Sequence, residues 1–379
     1  MKAGILTFYC SDNYGAMLQA CGLKCCVEEL CPETEIIPYA PPFLTGRHWF
    51  IPYYPFRSPK TMMRWTRAGF RRNLQKGWDF FRQKRNMNKF RKQYLVRGQR
   101  RIRTVRGLSK TFYDIYIAGS DQIWNPDITF GLRRAYFGAF TRPAGSRVIA
   151  YAASLGGKDL PGQYEEKMRT LLLSIDDISL REEAAVPYIK KLTDKDVTAV
   201  SDPVFFLDQR QWREMEILPR EENYILVYDT EQNPLLRQYA KELASEKGMA
   251  VIELKPDRAH ADPTFKTDIC AGPSEFLGYI HKAGYVVTNS FHGMAFSIIF
   301  HKQFVAFSHS SRNARLENIL MKCGLRERMV FDNNCGMKID DPVCWPEVDG
   351  KVERMAEESR DFLRRCLKKV SAEPRRSRT

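Results

Sequence analysis

The sequence lacks any run of about 18 apolar residues, so it offers no membrane-spanning helix. It lacks a C-x-x-C pair among its ten cysteines, which argues against a zinc knuckle or a thioredoxin-like redox motif. The opening stretch, "MKAGILTFYCSDNYG", lacks the pattern of a secretion signal. Its apolar run is short, polar residues follow, and no small-residue cleavage site closes it. These absences lead to the expectation of a cytosolic protein with free thiols. Cys10, just past an expected strand, is a candidate nucleophile with no partner near it in sequence. Acidic residues are missing from one place. Between Arg57 and Arg106 stands a single acid, Asp79, against 18 Lys and Arg. The net charge of +15 is therefore local, because the rest of the chain carries 42 basic and 44 acidic residues.

What is present is enough apolar material for substantial cores: 379 residues, 44% hydrophobic and 12% aromatic. That length favours two domains. "KAGILTFY" reads as a buried strand, "CSDN" as a turn, and "YGAMLQACGLKCCVEEL" as a helix capped by Asn13. "TEIIPY" is a second strand, and β-loop-α-β opens a doubly wound domain. "YDIYIAGSDQIWNP", "RVIAYAASLG", "DDISLREEAAVPYIKKL" and "VTAVSDPVFFL" continue the plan. A polar linker near residues 208–223 precedes a second β/α series: "NYILVYD", "MAVIEL", "YVVTNS" and "QFVAF" as strands, with helices between them. A long helix is expected over 349–369. The expected architecture is α/β, with two Rossmann-like domains facing a cleft. The first spans residues 1–207, with a basic helical insertion over about 57–106. The second spans 208–370, and a disordered basic tail covers 371–379.

In parallel sheets, ligands bind at the carboxyl ends of strands. The polar loops "CSDNYG", "AGSDQIWNP", "AASLG", "SLRE" and "TNSFHG" all fall there. In "YVVTNSFHGMAFSIIF", a strand meets a helix through a polar knot. His292 and Gly293 stand at the helix N-terminus, where unpaired N–H groups attract anions. Ser290 suits the cap and Gly293 a close backbone approach. His292 can bond or protonate an anionic substrate, or it satisfies the turn. Arg181 follows a strand directly, and its guanidinium suits a carboxylate or phosphate. It suits equally a salt bridge with Glu182, Glu183 or a neighbouring acid. Asp121 orients a substrate hydroxyl or a histidine, or caps the next turn. Arg312 and Arg315 reach an anion or stay solvated. Together these residues favour a small anionic substrate.

Six stretches occur in one order: "NYGAMLQA", "GSDQIWNP", "YAASLG", "SLREE", "SDPVFFL" and "TNSFHGMAFSIIF". As a set they resemble the polysaccharide pyruvyl transferase family. The resemblance implies a two-domain fold similar to GT-B glycosyltransferases. It also implies transfer of a pyruvyl group from phosphoenolpyruvate to a sugar, usually as a cyclic ketal. It carries over Arg181, His292 and Asp121 as catalytic residues. Asn13, Tyr14, Gly15, Ser120, Ser154, Ser290, Gly293 and Arg312 carry over as donor-binding residues. No metal and no cofactor beyond the donor substrate is expected. One departure stands out: some members resemble "RLHG" where this chain has "SFHG". Ser290 thus replaces a candidate phosphate-binding arginine, and either Arg312 substitutes or the donor site differs.

The basic block reads as a basic amphipathic helix with Met63, Phe70, Leu74, Trp78 and Phe81 on one stripe. No nucleic-acid motif surrounds it, and no nucleic-acid partner is expected. Docking to an anionic membrane fits an acceptor glycan carried on lipid. Packing of the same stripe onto the first domain is the competing use. The expected protein is a pyruvyltransferase of the cytoplasmic membrane face, acting on a polysaccharide or its lipid-linked precursor. A GT-B-type glycosyltransferase using a nucleotide sugar is the first alternative, and a non-catalytic basic binding protein the second.

Overall fold

A computed structural model of the chain describes residues 1–44, 78–255, 260–308, 313–331 and 339–372. Among these residues twelve strands form two six-stranded sheets. Residue contacts divide the chain into two units. The first comprises the described residues within Met1–Arg71, Arg91–Phe206 and Met355–Thr379, and the second those within Arg72–Phe90 and Leu207–Arg354.

The first unit carries β1 (Lys2–Leu6), β2 (Glu33–Ile36), β3 (Ile115–Asp121), β4 (Arg147–Ala153), β5 (Asp177–Leu180) and β6 (Val197–Ala199). Their spatial order is β2-β1-β3-β4-β5-β6, and every pairing is parallel. Parallel strands are covered on both faces, so they read as apolar runs. Accordingly β4 buries Val148 through Ala153 without a break. The order reverses between β1 and β3, which makes their carboxyl ends the switch point of this sheet.

The second unit carries β7 (Ile225–Tyr228), β8 (Val251–Leu254), β9 (Lys266–Asp268), β10 (Tyr285–Thr288), β11 (Gln303–Phe307) and β12 (Met329–Val330). The order is β12-β11-β10-β7-β8-β9, again all parallel. Counted from β7 this is the Rossmann order, with its switch point between β7 and β10. Both units are thus Rossmann-like α/β sheets, as expected. The edge strands β9 and β12 are additions to the sequence reading.

The closing helix, Trp345–Ala372, runs longer than its expected span. The sequence expectation places it in the second domain, yet from Met355 onward it groups with the first unit. The reason is a set of buried contacts. Ser359 Oγ lies 2.9 Å from both the Ser201 amide and the Ser201 hydroxyl. Arg360 donates to the Phe206 carbonyl at 2.6 Å, and Phe362 packs on Tyr151 with ring centroids 6.3 Å apart.

Of the basic block, the part before Trp78 lies outside the described residues, and Met63, Phe70 and Leu74 lie there. Arg312 and residues 373–379 of the expected tail lie outside as well. Residues 78–90 are helical. Trp78 and Phe81 are 84% and 65% exposed, so these two do not pack onto a core. The buried side of the turn is Gln83, Met87 and Phe90. Among the described residues no helix is long and apolar enough to cross a membrane.

Candidate active site

At the switch point of the first sheet, β3 ends in a tight turn. The Gly119–Ser120 peptide is cis, and Asp121 has φ +78°. Gly119 has φ +137°, and a Cβ there would lie 1.9 Å from the Tyr151 carbonyl oxygen, so only glycine fits. Ser120 is fully buried, and its hydroxyl has no hydrogen-bond partner among the described residues. Asp121 accepts the Gln122 amide at 2.8 Å.

Arg181, at the end of β5, is buried, and three carboxylates surround it. Its Nη1 donates to Asp202 Oδ2 at 2.8 Å. Asp121 Oδ1 stands 3.7 Å from Nη2, and Glu182 Oε1 3.9 Å from Nε. Burial works against the charge, but Asp202, Glu182 and Asp121 outweigh it and hold the guanidinium protonated. Of the two readings open from sequence, this geometry realises the salt bridge, with Asp202 as the main partner. Ser154 is also committed: it donates to Glu182 Oε1 at 2.5 Å and accepts the Gly156 amide at 3.2 Å. Asn13 caps the helix Tyr14–Leu30 by accepting the Ala16 amide at 3.0 Å. Tyr14 and Gly15 are buried in its first turn. Cys10 is buried, which pushes its thiol up to about 12. It is therefore protonated at neutral pH and unsuited to nucleophilic attack.

In the second unit, β10 runs into the helix Phe291–Ile299. Ser290 caps this helix, accepting the Gly293 amide at 3.4 Å. Gly293 is needed on the strand side: a Cβ there would lie 2.4 Å from Thr288 Oγ1. Asn289 clamps the turn across the switch point. Its Nδ2 donates to Asp229 Oδ1 at 2.7 Å, and its Oδ1 accepts the Thr230 amide at 2.8 Å. Asp229 lies in a charge group with the buried Glu253 and Lys255 and the half-buried Arg237. Lys255 donates to the Asp229 carbonyl at 2.6 Å. These bonds fix the backbone from which His292 projects. The half-buried His292 ring stands edge-on to Phe291 at 5.2 Å. The Arg315 guanidinium lies 5.9 Å from the centre of the same Phe291 ring. The unit therefore gathers an imidazole and a guanidinium beside a capped helix N-terminus. The cap itself is testable: Ser290→Ala should cost about 1 kcal/mol in urea unfolding.

Several of these residues were not singled out from the sequence. Asp202 sits inside the quoted "SDPVFFL" and Asn289 inside "TNSFHG", but their partners are 21 and 60 residues away. Nothing local announces such pairs. Among the described residues no three His, Cys, Asp or Glu side chains form a metal-ligating group.

The model of one family, polysaccharide pyruvyl transferase, matches residues 13–311. No curated protein matches the chain. Among solved structures, a functionally uncharacterised protein from Klebsiella pneumoniae is 14% identical. It covers 67% of this chain and 87% of its own, with a TM-score of 0.36. The E. coli ADP-heptose lipopolysaccharide heptosyltransferase II is 12% identical. It covers 94% of this chain and 99% of its own, with a TM-score of 0.38. The family match runs from the cap at Asn13 through the helix that carries His292, and by that match the chain belongs to the polysaccharide pyruvyl transferase family.

Proposed function

We propose that the protein moves a pyruvyl group from phosphoenolpyruvate to a sugar of a cell-surface polysaccharide or its lipid-linked precursor, forming a pyruvate ketal. The observation that carries this reading is His292, held on a clamped turn at the carboxyl end of β10 within a family-matched segment. In the proposed reaction a proton reaches C3 of the enol, and C2 becomes cation-like. A first sugar hydroxyl adds to C2 and releases its proton. The C2–O bond to phosphate then breaks, and the electron pair leaves with phosphate. A second hydroxyl adds to C2, and its proton balances the departing phosphate. Written this way, the reaction needs no redox partner.

His292 is assigned the proton transfer at C3. The anion-holding role expected of Arg181 passes to Arg315, which stands by the same helix end, whereas Arg181 already faces three acids. Arg181 instead keeps Asp121 in place. The test is phosphate release from phosphoenolpyruvate in the presence of a lipid-linked glycan extract. A glycan gaining a pyruvate ketal in the mass spectrum supports the reading. Release of nucleoside diphosphate from a nucleotide sugar, with no use of phosphoenolpyruvate, sinks it.

The exposed face of the helical residues 78–90 supports a place at the cytoplasmic face of an anionic membrane. Trp78, Phe81, Arg82, Arg85 and Lys89 are all exposed. Their spacing of three or four residues puts aromatic and cationic side chains on one side. Vesicles containing phosphatidylserine should bind the protein, and added salt should weaken the binding. Trp78→Ser with Phe81→Ser should reduce it by about tenfold or more. Equal binding to uncharged vesicles would rule out this use of the helix.

A further inference from the structure

Arg91 belongs by sequence to the basic block, and its charge counts among those 18 cations. Its place in the fold separates it from them. Among the described residues of the block it is the one buried cation. It opens the π-helical turn Arg91–Leu95. From there its side chain reaches the loop that follows β1. Nε donates to the Tyr9 carbonyl at 3.1 Å. Nη2 lies 3.4 Å from the Cys10 carbonyl, 3.4 Å from the Ser11 carbonyl and 3.0 Å from Asp12 Oδ1. The same nitrogen lies 3.8 Å from Met17 Sδ, in the first turn of the following helix.

We propose that Arg91 is a positioning residue for this reaction, setting the conformation of the β1 loop from Tyr9 to Asp12 and hence of Asn13 and Tyr14. The physical case rests on satisfaction of the loop's carbonyl groups. Three successive residues turn their carbonyls toward one guanidinium, in a segment with no sheet or helix to absorb them. A buried arginine is kept where its donors are used. Here they organise the loop at the switch point of the first sheet, where ligands of parallel sheets bind. A lysine supplies the charge but not the planar fork that spans several oxygens. The kinetic half of the proposal rests on the family resemblance, which makes Asn13 and Tyr14, directly after this loop, donor-binding residues.

The test uses the full-length protein and two independent readouts. The first is hydrogen exchange of the peptide covering residues 8–17, in wild type, Arg91→Lys and Arg91→Ala. Exchange there should speed up by about tenfold in both variants, the loss expected for charge-assisted bonds, while the other strands of the unit keep their protection. Arg97→Gln and Arg100→Gln remove exposed cations of the same block and should leave the loop unchanged. The second readout is steady-state kinetics. Arg91→Ala should raise KM for phosphoenolpyruvate by about tenfold with a smaller change in kcat, and methylguanidinium should partly restore it. Unchanged loop exchange, a loss spread evenly over the unit, or the same loss in the Arg97 and Arg100 variants would overturn the proposal. So would normal KM with a loosened loop. A wild type that makes no pyruvylated product defeats the functional reading, and the exchange pattern then decides by itself whether Arg91 sets the loop.

Discussion

His292→Gln should lower kcat for pyruvyl transfer by about 10²–10⁴-fold, the range for loss of a positioned general acid or base. The fold should survive. His292 sits in the first turn of its helix, and the turn is held by other groups: the Ser290 cap, Thr288 against Gly293, and the Asn289–Asp229 clamp. Glutamine keeps a polar side chain of similar reach but cannot relay a proton. The variant should therefore bind phosphoenolpyruvate with a similar affinity and keep its circular dichroism spectrum. Loss of turnover together with loss of folded signal would place His292 in the structure of the turn and not in the chemistry. Full turnover would remove it from the mechanism.

Asp202→Asn should destabilise the protein by about 3 kcal/mol. Arg181 is buried, and among the described residues Asp202 is its close carboxylate, at 2.8 Å; the next two stand at 3.7 and 3.9 Å. Neutralising the close partner leaves a buried cation undercompensated. Asparagine retains an oxygen for the Val204 amide, which Asp202 Oδ1 accepts at 3.1 Å, so the loss reports the charge pair and not the turn. Urea unfolding measures it. Arg181→Met combined with Asp202→Asn should recover much of the loss, because the stranded charge goes too. A nearly neutral Asp202→Asn would mean that Arg181 does not depend on Asp202, and would return Arg181 to the role of an open anion clamp.

The sheets were legible because parallel strands buried on both faces leave unbroken apolar runs, such as "VIAYAA" in β4 and "YVVT" in β10. The edge strands were not: β9 is the polar "KTD" and β12 is two residues long, so neither has a pattern to read. In the site, the caps Asn13 and Ser290 were visible because capping acts over three residues. Arg181 was visible as a residue, and so was Glu182, 3.9 Å from it, but its main partner was not. The expected acids, Glu182 and Glu183, are its sequence neighbours, whereas Asp202 reaches it from the loop after β6. Arg91 was hidden differently. Composition placed it in a cationic face, and only the fold turns it inward onto the β1 loop. Of the aromatic stripe, Trp78 and Phe81 share a side of the helix and face outward, while Met87 and Phe90, outside the stripe, are the buried apolar contacts.

The most direct measurement follows the bridging oxygen of phosphoenolpyruvate, labelled with the heavy isotope, during incubation with the protein and a lipid-linked glycan. If the carbon–oxygen bond at C2 breaks as proposed, the label appears in the released phosphate, and the glycan gains an unlabelled pyruvate ketal. Label retained in free pyruvate, with no change in the glycan, would mean hydrolysis at phosphorus and would contradict the pyruvyl transfer on which the account stands.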